Sequence, residues 1–209
     1  MRKFIPAAVA ILLASAACSS GQETAPTPPP LDLSSSEVRG AVLGEGDLGD
    51  EWNKEDDPRP STVQVGGKVG PANIEPVRAS ATSAFAQKEG SGYLSNTLYL
   101  LQSEAAASAV MDAHTEHDAT RTWRQERDDG GEANYERQGR VPDLSNLGDE
   151  LYTARIKATI TTPGAEAVER SIDYIVFRFR SLVAFVVTQD VSGGTFARRM
   201  EPKIAELAE

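Results

Sequence analysis

Cysteine is almost missing from this chain: 209 residues hold one, Cys18. A single thiol excludes a disulfide scaffold and a four-thiolate zinc site. Histidine is nearly as scarce, with two, and aromatic residues make up 6% of the chain. Basic residues are outnumbered: 21 Lys and Arg face 31 Asp and Glu, a formal charge of −10. That deficit argues against a nucleic-acid partner, because neutralising phosphates needs a surplus of Lys and Arg. Long apolar runs are missing too. The longest, Phe4 to Ala17, is interrupted by Pro6 and Ser15, and at about 14 residues it is short for a membrane-spanning helix. What remains is an ordinary globular composition, 40% apolar and 25% charged, on a length that supports one domain or two small ones.

The short apolar run follows Arg2 and Lys3 and ends Leu13-Ala14-Ser15-Ala16-Ala17-Cys18-Ser19-Ser20-Gly21. A basic start followed by a short apolar stretch reads as an export signal. Small residues leading into a cysteine resemble a bacterial lipobox, in which the cysteine sulfur receives a diacylglycerol before cleavage. That resemblance implies lipidation at Cys18 and removal of residues 1–17. Cleavage after Ala16 or Ala17 would instead leave a free, oxidisable thiol near the new terminus. Next comes Gln22-Glu-Thr-Ala-Pro26-Thr-Pro28-Pro29-Pro30-Leu31, where proline disfavours helix and favours an extended chain. Residues 18–33 would act as a tether of roughly 40–45 Å.

From about residue 34 the patterning becomes that of a folded domain, read as one unit over 34–209. Ser34 and Glu37 supply a capping box for a short helix that Gly44 and Gly46 stop. The Gly- and Asp-rich loop to Trp52 and the acidic Glu55-Asp56-Asp57-Pro58 hold no regular element. Val77–Gln87 and Tyr93–Gln102 read as strands around a Gly90-Ser91-Gly92 turn. Ser103-Glu104 opens an Ala-rich helix through about Arg127, with Ala109, Ala113, Thr120 and Trp123 at helical spacing. Tyr152 to Ile160 alternates as a half-buried strand. Ser171–Phe179 and Leu182–Gln189 are two further strands joined tightly at Arg180-Ser181, where the lack of Gly or Asn leaves a slightly longer loop as the other outcome. Thr195 is read as the cap of a last helix, with Phe196, Met200, Ile204 and Leu207 on one face. The fold class is α+β: an antiparallel sheet with helices returning to cover one face, and strand–hairpin–helix order recurring in the two halves.

Residue chemistry offers few sites. His114 and His117, with Asp112, Glu116 and Asp118 near them, could be imagined around a metal. A helix-borne zinc site of the protease kind needs histidines four apart with a glutamate after the first, and His114-Thr115-Glu116-His117 breaks that spacing. They are read as solvated helix residues, with no metal expected. Asp47, Asp50, Glu51, Glu55, Asp56 and Asp57 lack the alternation and central glycine of a calcium loop and read as a solvated acidic face. No Gly-x-Ser-x-Gly or Ser-x-x-Lys occurs, and Gly66-Gly67-Lys68 is an incomplete phosphate loop. Neither a catalytic residue nor a cofactor is indicated. Trp52, Trp123, Tyr93, Tyr99, Phe177, Phe179 and Phe185 read mainly as core packing, with an apolar pocket between sheet and helix as the other outcome.

The segment Leu43-Gly-Glu-Gly-Asp-Leu-Gly-Asp-Glu-Trp52, the Gly148-Asp149-Glu150 before a strand, and Asp173-Tyr174-Ile175-Val176-Phe177-Arg178 before a hairpin resemble secreted actinobacterial-type lipoproteins. These include sensor-like extracytoplasmic domains similar to the outer part of some receptor serine/threonine kinases. The resemblance spans about residues 34–209 and implies an extracytoplasmic location and a non-catalytic role. The expected function is therefore a lipid-anchored binding or sensor-like module on the outer face of the cell membrane, contacting an envelope protein or an apolar small molecule. A carrier of lipid or another apolar ligand is the alternative, and an envelope hydrolase with an unrecognised site is the second.

Overall fold

The computed structural model describes residues 29–56, 77–116 and 122–209. Helix α1 (Ser35–Ala41) starts on the predicted capping box. The Ser34 amide donates to Glu37 Oε2 at 2.7 Å and the Glu37 amide to Ser34 Oγ at 3.3 Å. A single 3₁₀ turn (Glu45–Asp47) leads to the short strand β1 (Trp52–Lys54). Then follow β2 (Val77–Gln87), β3 (Tyr93–Leu101), α2 (Glu104–Glu116), β4 (Thr122–Glu126), β5 (Glu132–Gly139), β6 (Glu150–Thr161), β7 (Val168–Phe179), β8 (Leu182–Gln189) and α3 (Gly193–Ala208).

All eight strands join one antiparallel sheet in the order β1-β2-β3-β8-β7-β6-β5-β4. The expected α+β architecture is what forms, and the sheet has helices on both faces rather than one. The reason is in the central strands, where successive side chains point to opposite faces and both faces are apolar. On β7, Ile175 and Phe177 join Val38, Leu43, Phe196, Met200 and Ile204 under α1 and α3. Tyr174 and Val176, one step out of phase, join Ala107, Val110 and Met111 under α2. A strand buried on both sides needs two covers. Hairpin-then-helix does recur, as β2-β3-α2 and β7-β8-α3, but the two helices lie on opposite faces, so the recurrence is one of order alone.

Three local readings are corrected. The helix predicted through Arg127 is resolved into α2, ending at Glu116, and the edge strand β4. Trp123 leaves the helical pattern to stack on Tyr135 across the β4–β5 pair, and Asp128 to Gly131 becomes the hairpin turn between them. Secondly, the loop to Trp52, read as holding no regular element, carries the 3₁₀ turn Glu45–Asp47 and runs into β1. The tight joint read between β7 and β8 does form at Arg180-Ser181, since Phe179 pairs with Leu182. Arg180 supplies the left-handed conformation itself, at φ 50°. Thirdly, Thr195 lies inside α3, whose N-cap is Ser192. The cap is provided from the sheet: Gly193 N donates to Asp173 Oδ2 at 3.0 Å. A Cβ on Gly193 would sit 2.9 Å from the Asp173 Cβ, so only glycine allows this approach.

Candidate functional site

Alternation along four neighbouring strands brings an aromatic floor together beneath α2. Tyr99 on β3, Phe185 on β8, Tyr174 on β7 and Tyr152 on β6 all face the helix. Together with Tyr93 on β3 and Tyr135 on β5, every one of the five tyrosines of the chain lies on this face. Into the floor α2 inserts His114, which is only 2% exposed. Its ring lies 5.7 Å from Tyr174 at an interplanar angle of 22°, and 5.6 Å and 5.7 Å from Tyr152 and Phe185.

The hydrogen bonds of His114 settle its tautomer. Nδ1 is 2.7 Å from the Val110 carbonyl, one helical turn back, and a carbonyl can only accept. Nδ1 therefore carries the proton, and in the neutral ring Nε2 accepts from the Tyr174 hydroxyl at 2.8 Å. Both nitrogens are engaged in a buried setting. The residue acts as a post between helix and sheet, which corrects its reading as a solvated helix residue. His117 lies outside the described residues, as do Asp57, Asp118, the Gly66-Gly67-Lys68 segment and Cys18.

Burial raises the phenols around it. The Tyr99 hydroxyl is pushed up to about 12 by burial, and the residue is 5% exposed with no hydrogen-bond partner for its oxygen. Tyr174 is raised further, by burial first and then by the neighbouring Tyr152 and Tyr99. Tyr152 and Tyr135 are also raised by burial, the nearby Arg137 and Arg127 respectively working against it. Helix α2 packs over β3, β8, β7 and β6. On the outer strands of the same face, Trp123 and Tyr135 stack at 5.0 Å and 11°, and the Arg137 guanidinium lies over the Tyr152 ring at 5.6 Å. The site is thus a helix-covered aromatic floor with a half-buried aromatic shelf beside it. Such a surface is suited to stacking and apolar contact.

The other sequence candidates go elsewhere. Trp52 packs edge-on against Phe196 at 5.5 Å, and Phe177 against Phe179, both on the α1/α3 face. Six of the seven aromatics read from the sequence therefore line two separate cores, and Tyr93 is half-buried at the start of β3. Asp47 receives the Gly44 amide at 2.7 Å and Lys203 Nζ at 2.5 Å. Asp50, Glu51, Glu55 and Asp56 are exposed, and among the described residues no group of His, Cys, Asp and Glu could hold a metal. An open hollow of about 320 Å³ lies along Gln138, Arg155, Lys157, Glu169 and Arg170. Its charges are already matched, Arg155 to Asp173, Lys157 to Glu169 and Arg170 to Asp190.

The three short motifs turn out to be fasteners. In Asp173–Arg178, Asp173 takes Arg155 in a two-point contact at 2.7 and 2.9 Å and also caps α3. Tyr174 takes His114, and Arg178 donates to Glu150 Oε1 at 2.7 Å. Asp149 accepts the Arg180 amide at 2.7 Å. Tyr135, Tyr152, Tyr174 and His114 were missed as a cluster by sequence reasoning. The available signal was the alternation of β6 and β7, which sets Ala154 opposite Tyr174 and leaves room for its ring.

No known protein family matches this sequence, and no curated protein is recognisably similar to it. The structure belongs to the class of α+β domains built on one eight-stranded antiparallel sheet with helices on both faces. Among solved structures it is similar to the extracellular domain of PknH from Mycobacterium tuberculosis, with a TM-score of 0.57 and 8% sequence identity, over 83% of this chain and 97% of that one. At this identity the likeness is one of fold. Among the described residues, no helix is long and apolar enough to cross a membrane.

Proposed function

We propose that this chain is a non-catalytic, sensor-like binding module that works outside the cytoplasm. It is carried at the outer face of the cell membrane by a lipid on Cys18, with residues 1–17 removed, 18–33 serving as tether and 34–209 as the binding domain. The observation that carries this reading is the likeness of fold to a domain described as extracellular, over 97% of that domain. The export-type start of the sequence points the same way. A buried His114 with both nitrogens engaged supports the non-catalytic part, because a general base must reach substrate.

The test is the intact mass and detergent partitioning of the full chain made in a bacterium that processes lipoproteins. The mature chain should begin at Cys18, carry the mass of a diacylglyceryl group and enter the detergent phase, and Cys18→Ser should return it to water. An unmodified Cys18 in a fully aqueous product overturns the anchor.

A second reading, carriage of a lipid or other apolar molecule, is favoured by one specific observation. The buried Tyr99 hydroxyl lacks a partner in an aromatic surround, and an orphaned buried donor calls for one. A Trp52→Phe variant leaves Trp123, beside this face, as the sole indole. A saturable change of its fluorescence on titration with a fatty acid would support carriage, and a flat titration would refute it.

A further inference from the structure

The last residues of the tether are part of the fold. Leu31 is buried to 8% exposure and belongs to the core under α1 and α3, with Leu33 packed against it. Arg78, at the start of β2, donates to the Leu31 carbonyl and pairs with Asp32 at 3.4 Å. Pro29 is held by Arg180, whose Nη2 donates to its carbonyl at 2.7 Å. The same guanidinium donates through Nε to Glu104 Oε1 at 3.0 Å and through Nη1 to the Ala208 carbonyl at 3.2 Å. One side chain thus joins the tether to the first residue of α2 and the last turn of α3.

We propose that residues 29–33 are a strap and that Arg180 is a clasp coupling this strap to α2, the helix that covers the aromatic face. The clasp is built into an unusual position. Arg180 occupies the tightest hairpin of the sheet with a left-handed backbone at φ 50°, which costs a non-glycine residue about 1 kcal/mol or more. It is kept there by the hydrogen bond its backbone amide donates to Asp149 and by Arg178, which donates to the Arg180 carbonyl at 3.2 Å. Helix α2 is rich in alanine, and side-chain hydrogen bonds that tie it to its surroundings run from Glu104 to Arg180, from Ser108 to Glu150 and between His114 and Tyr174. Lifting its first turn withdraws the Glu104 carboxylate from Arg180 and loosens the guanidinium that grips Pro29. Coupling of this kind is reciprocal, so a docked strap also holds α2 down over the aromatic floor. The proposal rests on the Cys18 reading only in making the strap the segment nearest the anchor; the clasp itself does not require the lipid.

The experiment uses the full chain, with and without Cys18→Ser, and reads two places at once. Cleavage by a protease that cuts at leucine reports opening at Leu31 and Leu33, and amide exchange reports the first turn of α2. Glu104→Ala touches only the α2 side of the clasp. It should raise strap cleavage about fivefold or more at an unchanged unfolding midpoint. Leu31→Ser, on the strap side, should raise exchange at residues 105–108 by a similar factor. Arg180→Ala should do both, and Glu104→Ala carries the test even where the Arg180 variant folds poorly. Strap cleavage at the wild-type rate in Glu104→Ala, or unchanged α2 exchange in Leu31→Ser, overturns the coupling. The same pattern in Cys18→Ser separates this result from the fate of the anchor.

Discussion

At the scale of single residues, polar side chains that looked like site chemistry mostly hold elements together. Asp173 is 2% exposed and would be costly alone, since a buried charge without partners loses several kcal/mol of solvation. Three donors surround it, from Arg155 and Gly193, so the carboxylate joins β6, β7 and α3. Gly148 shows a purely steric requirement. It sits at φ +63°, and a Cβ there would lie 2.2 Å from the Arg178 carbonyl oxygen. Gly148→Ala must therefore displace the backbone that carries Arg178 and Arg180. Its expected cost is about 2 kcal/mol or more, read as a lower urea midpoint at unchanged slope. Gly46→Ala is the control: a Cβ there meets nothing within 4 Å, and the midpoint should stay within about 0.5 kcal/mol of wild type.

At the scale of elements, α3 is fastened along its length by the 3₁₀ turn that precedes β1 and by the first residue of that strand. Trp52 meets Phe196, Arg199 donates to the Asp47 carbonyl at 2.7 Å, and Lys203 meets the Asp47 carboxylate. Partial burial works against that carboxylate, but the Gly44 amide and Lys203 outweigh it and hold its pKa below the ordinary 3.8. A carboxylate with a depressed folded pKa binds fewer protons when folded. Its contribution is therefore complete above the unfolded value and is lost as pH falls through the folded one. Stability should decline below about pH 4, and Asp47→Asn should flatten that decline, as urea midpoints taken between pH 6 and pH 3 will show. The elements differ in how far the sequence disclosed them. Strand β6 was legible from its local apolar alternation, and β8 and the core of β7 from continuous local apolar runs. Strand β4 was not, because Trp123 fits the helical spacing of Ala109 and Ala113, and its actual partner, Tyr135, is reached only through the hairpin. Strand β5 carries just Ala133 and Tyr135 as apolar residues, too few to mark a strand. The start of α3 depended on Asp173, twenty residues back. The aromatic centre was hidden for the same reason: its members come from five elements, and only pairing sets them in one place.

At the scale of the whole molecule, the two faces of the sheet are chemically different. Under α1 and α3 the core is aliphatic with Phe85, Phe177 and Phe196, and carries no phenol. Under and beside α2 lie all five tyrosines, each with its ionisation raised, chiefly by burial. This makes the α2 face a sensor of alkali. An unfolded phenol loses its proton near 10, whereas Tyr99 holds its own to about 12 and Tyr174 longer still. In that window the folded chain binds more protons than the unfolded one, so stability falls as pH rises. The benefit of burial is whole below pH 10 and drains away through the folded values. Urea midpoints should therefore drop steadily above about pH 10, and tyrosinate absorbance should appear with loss of the native fold instead of preceding it. Tyr99→Phe removes one of these protons and an orphaned hydroxyl together, so it should flatten the alkaline limb while leaving the acid limb, to which Asp47 on the other face contributes, where it was. A native chain whose tyrosines ionise freely near pH 10 would show that α2 does not close over this face in solution, and the aromatic floor would then stand open to a ligand without any movement of the helix.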